Sequence, residues 1–217
     1  MNLVLLGPPG VGKGTQGRML AERLDVPWLS SGDMLRDAVR EGTALGKRAD
    51  RYMRQGELVE DSLIVEIMGE RLRRADATNG FIVDGYPRTR GQAEALAAVL
   101  VRLGRTLSAA LLVDLPDEDV VTRLAGRRIC ERCGRVYHVE FDPPERDGRC
   151  DVDDGQLVRR DDDRPETIRR RLVVYHREIE PLLRYYEADG VLRRADGSGP
   201  PAEVNKRLEA VLASAGV

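Results

Sequence analysis

The stretch Gly7-Pro8-Pro9-Gly10-Val11-Gly12-Lys13-Gly14-Thr15 decides how this chain is read. A short apolar run, Leu3 to Leu6, precedes it, and Gln16 to Leu24, with the residue types of an amphipathic helix, follows it. Strand, glycine loop, helix is an order that suits anionic oxygens. Glycines let the backbone turn tightly and aim successive N–H groups inward, a helix N-terminus adds partial positive charge, and Lys13 brings a mobile full charge. The pattern G-x-x-x-x-G-K-[ST] is met at Gly7, Gly12 and Lys13 but not at the hydroxyl, because Gly14 stands there and Thr15 comes one place later.

Outward from that loop, 217 residues with 41% hydrophobic content allow one large domain or one domain with insertions. Only 4% of residues are aromatic, so Leu, Val, Ile and Ala must build the core, and platforms for stacking single-stranded nucleic acid are scarce. Thirty-five Lys and Arg against 37 Asp and Glu leave a net charge of -2, with no global pull toward nucleic acid or membrane. No secretory pattern opens the sequence and no apolar run approaches the ~20 residues of a membrane span, so a cytoplasmic protein is expected. Three cysteines clustered between 130 and 150 fit a metal site better than a disulfide framework.

Further along, Val26 to Leu29 reads as a strand, and Ser30 to Asp33 as a loop capping a helix that begins near Met34. Gly42, Gly46 and Gly56 punctuate two short helices ending at Glu57-Leu58-Val59, a small helical insertion. Asp61 is expected to cap a helix with Ile64, Ile67, Met68 and Leu72 on one face. Phe81 to Val83 and Ala109 to Val113 read as strands ending in loops at Asp84 and Asp114. Such runs, with little alternation and separated by helices, imply a parallel sheet covered on both faces, with ligands at the carboxyl ends of its strands. From Arg127 to Asp163 the composition shifts to cysteine, proline and charge, which marks a separate small module. Asp163 is expected to cap the next helix, with Pro165 in its first turn and Glu166 three residues on, and Pro181 to kink that helix or start a new one. Val191-Leu192 is a weak last strand and Pro201 to Leu212 a last helix.

Two groups of side chains carry chemistry. Cys130-x2-Cys133 and Cys150-x2-Asp153 are two tight turns whose ligands complete a tetrahedron, with zinc the first choice and a scaffold role; Asp151, Asp154 and His138 are rivals for the fourth place. The other group is arginine: Arg36, Arg88, Arg123, Arg127, Arg160 and Arg171. Most guanidinium groups of an Arg-rich chain lie on a solvated face, but Arg88 follows a strand-end loop and Arg160 precedes three aspartates at a module edge. Phosphoryl transfer needs such charges, because the moving group spreads negative charge over three oxygens. Asp84 is a candidate to hold Mg2+ through water.

Gly-x-Pro-Gly-x-Gly-Lys-Gly-Thr at 7 to 15, Gly32-Asp33-Met34-Leu35-Arg36, Asp84-Gly85-Tyr86-Pro87-Arg88, Gly126-Arg127-Arg128 and Arg160-Asp161-Asp162-Asp163 occur in one order. The chain thereby resembles the long-form bacterial adenylate kinases. The resemblance implies an α/β P-loop nucleoside monophosphate kinase fold: a parallel sheet flanked by helices (1–29, 60–125 and 164–217), a helical AMP-binding insertion (30–59) and a small zinc-ribbon-like lid (126–163). It implies Mg2+-dependent phosphoryl transfer from ATP to AMP, giving two ADP, by a monomer with no nucleic-acid or membrane partner. By position, Gly10, Val11, Gly12, Lys13, Gly14, Thr15, Arg127, Val136, Tyr137 and Gly199 fall on the ATP side. Ser31, Arg36, Glu57, Leu58, Val59, Gly85, Tyr86, Pro87, Arg88, Gln92, Arg160 and Arg171 fall on the AMP side. Lys13, Arg88, Arg123, Arg160, Arg171 and Asp84 form the catalytic group, and Cys130, Cys133, Cys150 and Asp153 match the zinc-bearing lid. Ser31 stands where many members have Thr, Glu57 where Lys is common and Gly199 where some have Lys, so main-chain contacts are expected at 57 and 199. A GTP-dependent AMP kinase shares the phosphate motifs, and a zinc-ribbon nucleotide-binding module without catalysis is the rival from another class.

Overall fold

The structure, a computed structural model, describes residues 1–214 and 216. Five parallel strands form the central sheet: β1 (Asn2–Leu6), β2 (Trp28–Ser30), β3 (Phe81–Asp84), β4 (Ala109–Asp114) and β8 (Leu192–Asp196), in the order β2-β3-β1-β4-β8. The apolar runs dictate this. In β1, Leu3 and Leu5 enter one core and Val4 and Leu6 the other, all at most 3% exposed, so both faces of the strand must be covered. Each such leucine or valine stabilises the fold by about 1.5–3 kcal/mol.

Between the strands lie α1 (Lys13–Leu24), α2 (Ser31–Arg40), α3 (Ala44–Gln55), α4 (Asp61–Leu72), α5 (Arg90–Arg102) and α6 (Asp117–Ala125); α7 (Pro165–Ala188) and α8 (Pro201–Ser214) close the chain. A second sheet of three antiparallel strands, ordered β6-β5-β7, comprises β5 (Arg127–Cys130), β6 (Val136–His138) and β7 (Leu157–Val158). It lies within the segment whose composition shifts.

Several local expectations need correction. Helix α1 begins at Lys13, inside the glycine loop, rather than at Gln16. Helix α2 starts at Ser31, not near Met34, because the Ser30 hydroxyl accepts from Asp33 N–H and caps it three residues early. Asp61 is the first residue of α4 and caps nothing; Glu60 is in the cap position, but its side chain turns to Arg48 and Tyr52 instead of the helix. Asp163 does not cap α7 either, because its carboxylate is drawn inward to Arg127. Finally, Pro181 starts no new helix, and α7 runs through it as one element. Its buried residues Ile168, Leu172, Leu182 and Tyr186 lie on both sides of the proline, and their packing outweighs the ~3 kcal/mol a mid-helix proline costs. Val191 lies outside β8, which extends to Asp196.

Candidate active site

The loops after β1, β3 and β4 open at the same edge of the sheet, as parallel pairing requires. The first intrahelical bond of α1 runs from Gln16 N to Gly12 O, so the N–H groups of Lys13, Gly14 and Thr15 have no helix carbonyl to meet. No acidic residue stands in the first turn and no side chain caps it. Gly12 has φ +98°, and a Cβ there would meet nothing within 4 Å, so the bowl in front of the helix is open. The Lys13 ammonium donates to the carbonyl oxygens of Gly7 and Pro8, both at 2.8 Å. Removal from water, together with the nearby charges of Arg88, Arg171 and Arg127, lowers its pKa to about 8 against the counter-pull of Asp84. Gly14 lies where a bulkier residue would approach Asp84: a Cβ would be 3.8 Å from its Oδ2.

Beside this bowl lies a cleft, open to solvent, between α2, α3 and the loop after β3. It is lined by Ser31, Arg36, Glu57, Leu58, Val59, Gly85, Arg88, Gln92 and Arg171 from the AMP-side set, with Asp162 added. Gly85, at φ +78°, lets the chain pass the Ser31 hydroxyl, 2.7 Å from where a Cβ would stand. Tyr86 and Pro87 are buried behind the wall, and the Tyr86 hydroxyl donates to Gln92 O, so their side chains are committed to the core.

Around the cleft the arginines are interleaved with carboxylates. Arg127 makes a two-pronged pair with the fully buried Asp163, at 2.7 and 2.5 Å, and Arg171 lies 3.6 Å from the same carboxylate and 2.9 Å from Asp162. Asp33 takes Arg36 at 2.5 Å and faces Arg160 at 3.6 Å. Burial, then the neighbouring charges of Arg36 and Arg127, pulls the Arg160 pKa down to about 9. Arg88, partly withdrawn from water and facing Arg171, falls to about 10. Burial raises the pKa of Asp84 despite Lys13 and Arg88. A carboxylate at the strand end beside the glycine loop, 3.8 Å from where a Cβ of Gly14 would stand, fits a water-held Mg2+.

Arg123 is not in that cluster. From α6 it donates to Val11 O and Gly197 O, at 3.2 and 3.1 Å, and so braces the glycine loop against the loop that carries Gly199. Tyr137 offers no side chain to the ATP side: it is 1% exposed and its hydroxyl donates to Cys150 Sγ at 3.3 Å, leaving only its backbone and that of Val136 in β6. Gly199, at φ +88°, sits near Glu203 in α8.

The ligand atoms of Cys130, Cys133, Cys150 and Asp153 lie within 4.8 Å of one another. Cys133 Sγ is 3.6 Å from Cys150 Sγ, and Cys130 Sγ 3.2 Å from Asp153 Oδ1. A tetrahedral zinc with ~2.3 Å bonds to sulfur sets its thiolates about 3.8 Å apart, so these residues fit it. The rivals are otherwise engaged: Asp151 accepts from Glu145 N, Asp154 from Arg146, and His138 binds the N–H groups of Glu140 and Phe141. Arg132 N–H and the Tyr137 hydroxyl point at the sulfurs, and Gly155 N–H at Asp153, a ready outer shell.

The carboxylates Asp33, Asp162 and Asp163 are not read from sequence as partners of these arginines; for Asp162 and Asp163 the one signal is a run of three aspartates ending two residues before the arginine-rich α7. Gln16 was missed as well: it donates to Pro201 O and accepts from Asn205, tying α1 to α8.

A glycine bowl at a helix N-terminus, next to an arginine-lined cleft with an apolar side, is a site for two phosphorylated molecules meeting end to end. Comparison with known proteins agrees. The sequence model described as Adenylate kinase matches residues 5–191. An adenylate kinase of Archaeoglobus fulgidus is 48% identical over 98% of both chains. One of Caldicellulosiruptor bescii is 47% identical over 96% of this chain and 97% of its own, and one of Staphylococcus epidermidis 45% over 98% and 99%. With the bowl, the cleft and nearly the whole length in agreement, the chain belongs to the adenylate kinase family.

Proposed function

We infer that this chain carries out its family's reaction, reversible transfer of the terminal phosphoryl group of ATP to AMP, giving two ADP. It is an ATP:AMP phosphotransferase. The observation that carries the assignment of residues is the juxtaposition at one sheet edge of the α1 N-terminus and the arginine cleft. ATP phosphates rest on the N–H groups from Gly10 to Thr15 and on Lys13. AMP lies in the cleft, its phosphate toward Arg36, Arg88 and Arg171 and its base toward Val59 and Gln92. The attacking oxygen of AMP is already anionic, so no general base is required; positioning, charge neutralisation and exclusion of water do the work. Mg2+ accompanies ATP and spreads phosphate charge, with Asp84 its holder through water.

Residues 30–59 and 126–163 act as moving parts over a core of 1–29, 60–125 and 164–217, whose Ala215 and Val217 lie outside the described residues. Zinc at the Cys130 cluster holds the smaller part in shape. Among the described residues no helix is long and apolar enough to cross a membrane. The small net charge and few aromatics argue against a nucleic-acid partner, and the chain is read as a cytoplasmic monomer. A coupled assay with Mg2+ and a panel of donors and acceptors tests the reading: ATP and AMP are the preferred pair. Faster use of GTP would move the donor assignment, and no transfer with any pair would refute it.

A further inference from the structure

Gln92 is 3% exposed and lines the cleft, and its amide is held at both ends. Its Oε1 accepts from the backbone N–H of Arg88 at 2.7 Å, and its Nε2 donates to Asp61 Oδ1 at 2.6 Å. The other carboxylate oxygen of Asp61 accepts from the Thr89 hydroxyl at 3.3 Å, and that hydroxyl in turn accepts from Gln92 N–H. A backbone N–H can only donate and an ionised carboxylate can only accept. Turning the amide over would set Nε2 against an N–H and Oε1 against a carboxylate, two repulsive contacts in place of two bonds. The amide therefore has one polarity.

After both anchors are satisfied, one N–H and one oxygen lone pair remain to Gln92. They read a base edge of matching polarity: the adenine edge offers an amino donor at C6 and an acceptor at N1, whereas the hypoxanthine edge offers an acceptor at C6 and a donor at N1. A flipped amide would suit the second as well as a fixed one suits the first. We propose that Asp61 is a positioning residue that sets base specificity at the acceptor site by locking the Gln92 amide. Asp61 does not itself line the cleft and acts through Gln92. The proposal rests on the reading of this cleft as the AMP site.

The test compares AMP with IMP, which differ at this edge alone, as acceptors with Mg2+ and ATP. Wild type is expected to favour AMP strongly. Asp61→Ala removes one anchor, and the AMP-to-IMP ratio of kcat/KM should fall about tenfold or more, the worth of one lost orienting hydrogen bond. Asp61→Asn keeps the shape, but its amide can turn either an oxygen or an N–H toward Gln92, so the lock is lifted and the ratio should fall here too. Asp61→Ser serves as a second variant, with the outcome expected for alanine, should the alanine protein melt below assay temperature. If rates with AMP and IMP fall together and the ratio stays put, Asp61 is only a helix-terminal acid and the locking idea is overturned. Wild type that phosphorylates neither nucleotide overturns the reading of the cleft itself, a failure visible before any variant is made.

Discussion

Asp163 is the residue whose loss should tell most about how this site is held. Its side chain is fully buried, and it holds Arg127 through two bonds, with Arg171 at 3.6 Å. Asp163→Asn keeps the shape and deletes the charge, leaving guanidinium groups facing one another across a space shared with Arg36 and Arg160. Breaking a buried ion pair from one side costs about 3–5 kcal/mol. Arg127 and Arg171 retain 17% and 19% side-chain exposure, so water relieves part of this and the lower end, about 3 kcal/mol, is expected. At roughly 2–4 °C per kcal/mol for a chain of this length, Tm should drop by about 6–12 °C. Calorimetry of wild type, Asp163→Asn, Arg127→Met and the double variant measures the pair directly. Removing both partners should cost less than the sum of the single losses, with a coupling of about 1–3 kcal/mol. A single variant melting within 2 °C of wild type, or losses that simply add, would refute the argument that this buried pair holds the site together.

Lys13→Met and Arg88→Lys should fold normally and turn over about 10²- to 10³-fold more slowly, since the first removes a preorganised charge and the second replaces a two-pronged guanidinium with a point charge; wild-type kcat in Arg88→Lys would show that the two-pronged geometry is not needed there. A pH series separates the folding cost of Lys13 from its catalytic value. Its folded pKa of about 8 lies below the unfolded ~10.4, so between those values the unfolded chain binds more protons and the burial penalty, complete below pH 8, is relieved as pH rises. The stability of wild type relative to Lys13→Met should therefore improve from pH 8 to 10.5, and a flat difference would contradict it. Cys130→Ser should lose zinc, melt earlier and turn over more slowly while core secondary structure survives, because the polar lid segment buries too little apolar surface to fix its own shape. Metal analysis and melting curves check this, and zinc-free wild type after zinc is offered to the reduced protein would rule the scaffold out.

How much of this was legible in the chain follows from the range of each interaction. The glycine loop, the strands at Leu3, Phe81 and Ala109, and the paired turns at Cys130 and Cys150 depend on neighbours within a few residues, and they stand where the residues say. Backbone φ preference, side-chain periodicity and turn spacing are contiguous properties, so sequence by itself determined them. It also determined the family, because several such local motifs recur in one order. Only tertiary structure decided which carboxylate meets which arginine. Asp163 pairs with Arg127 across 36 residues, and an aspartate read as a helix cap became the buried counter-charge of the site. Asp61, also read as a cap, became the anchor of Gln92, 31 residues away. The gathering of Asp153, rather than Asp151, Asp154 or His138, beside the three cysteines, the bracing position of Arg123 and the inward turn of Tyr137 arise in the same way. An acceptor on a turn and a donor on a distant helix carry no record of each other in the sequence. Their pairing is fixed by the packing that brings the elements together and by the cost of burying a charge without a partner.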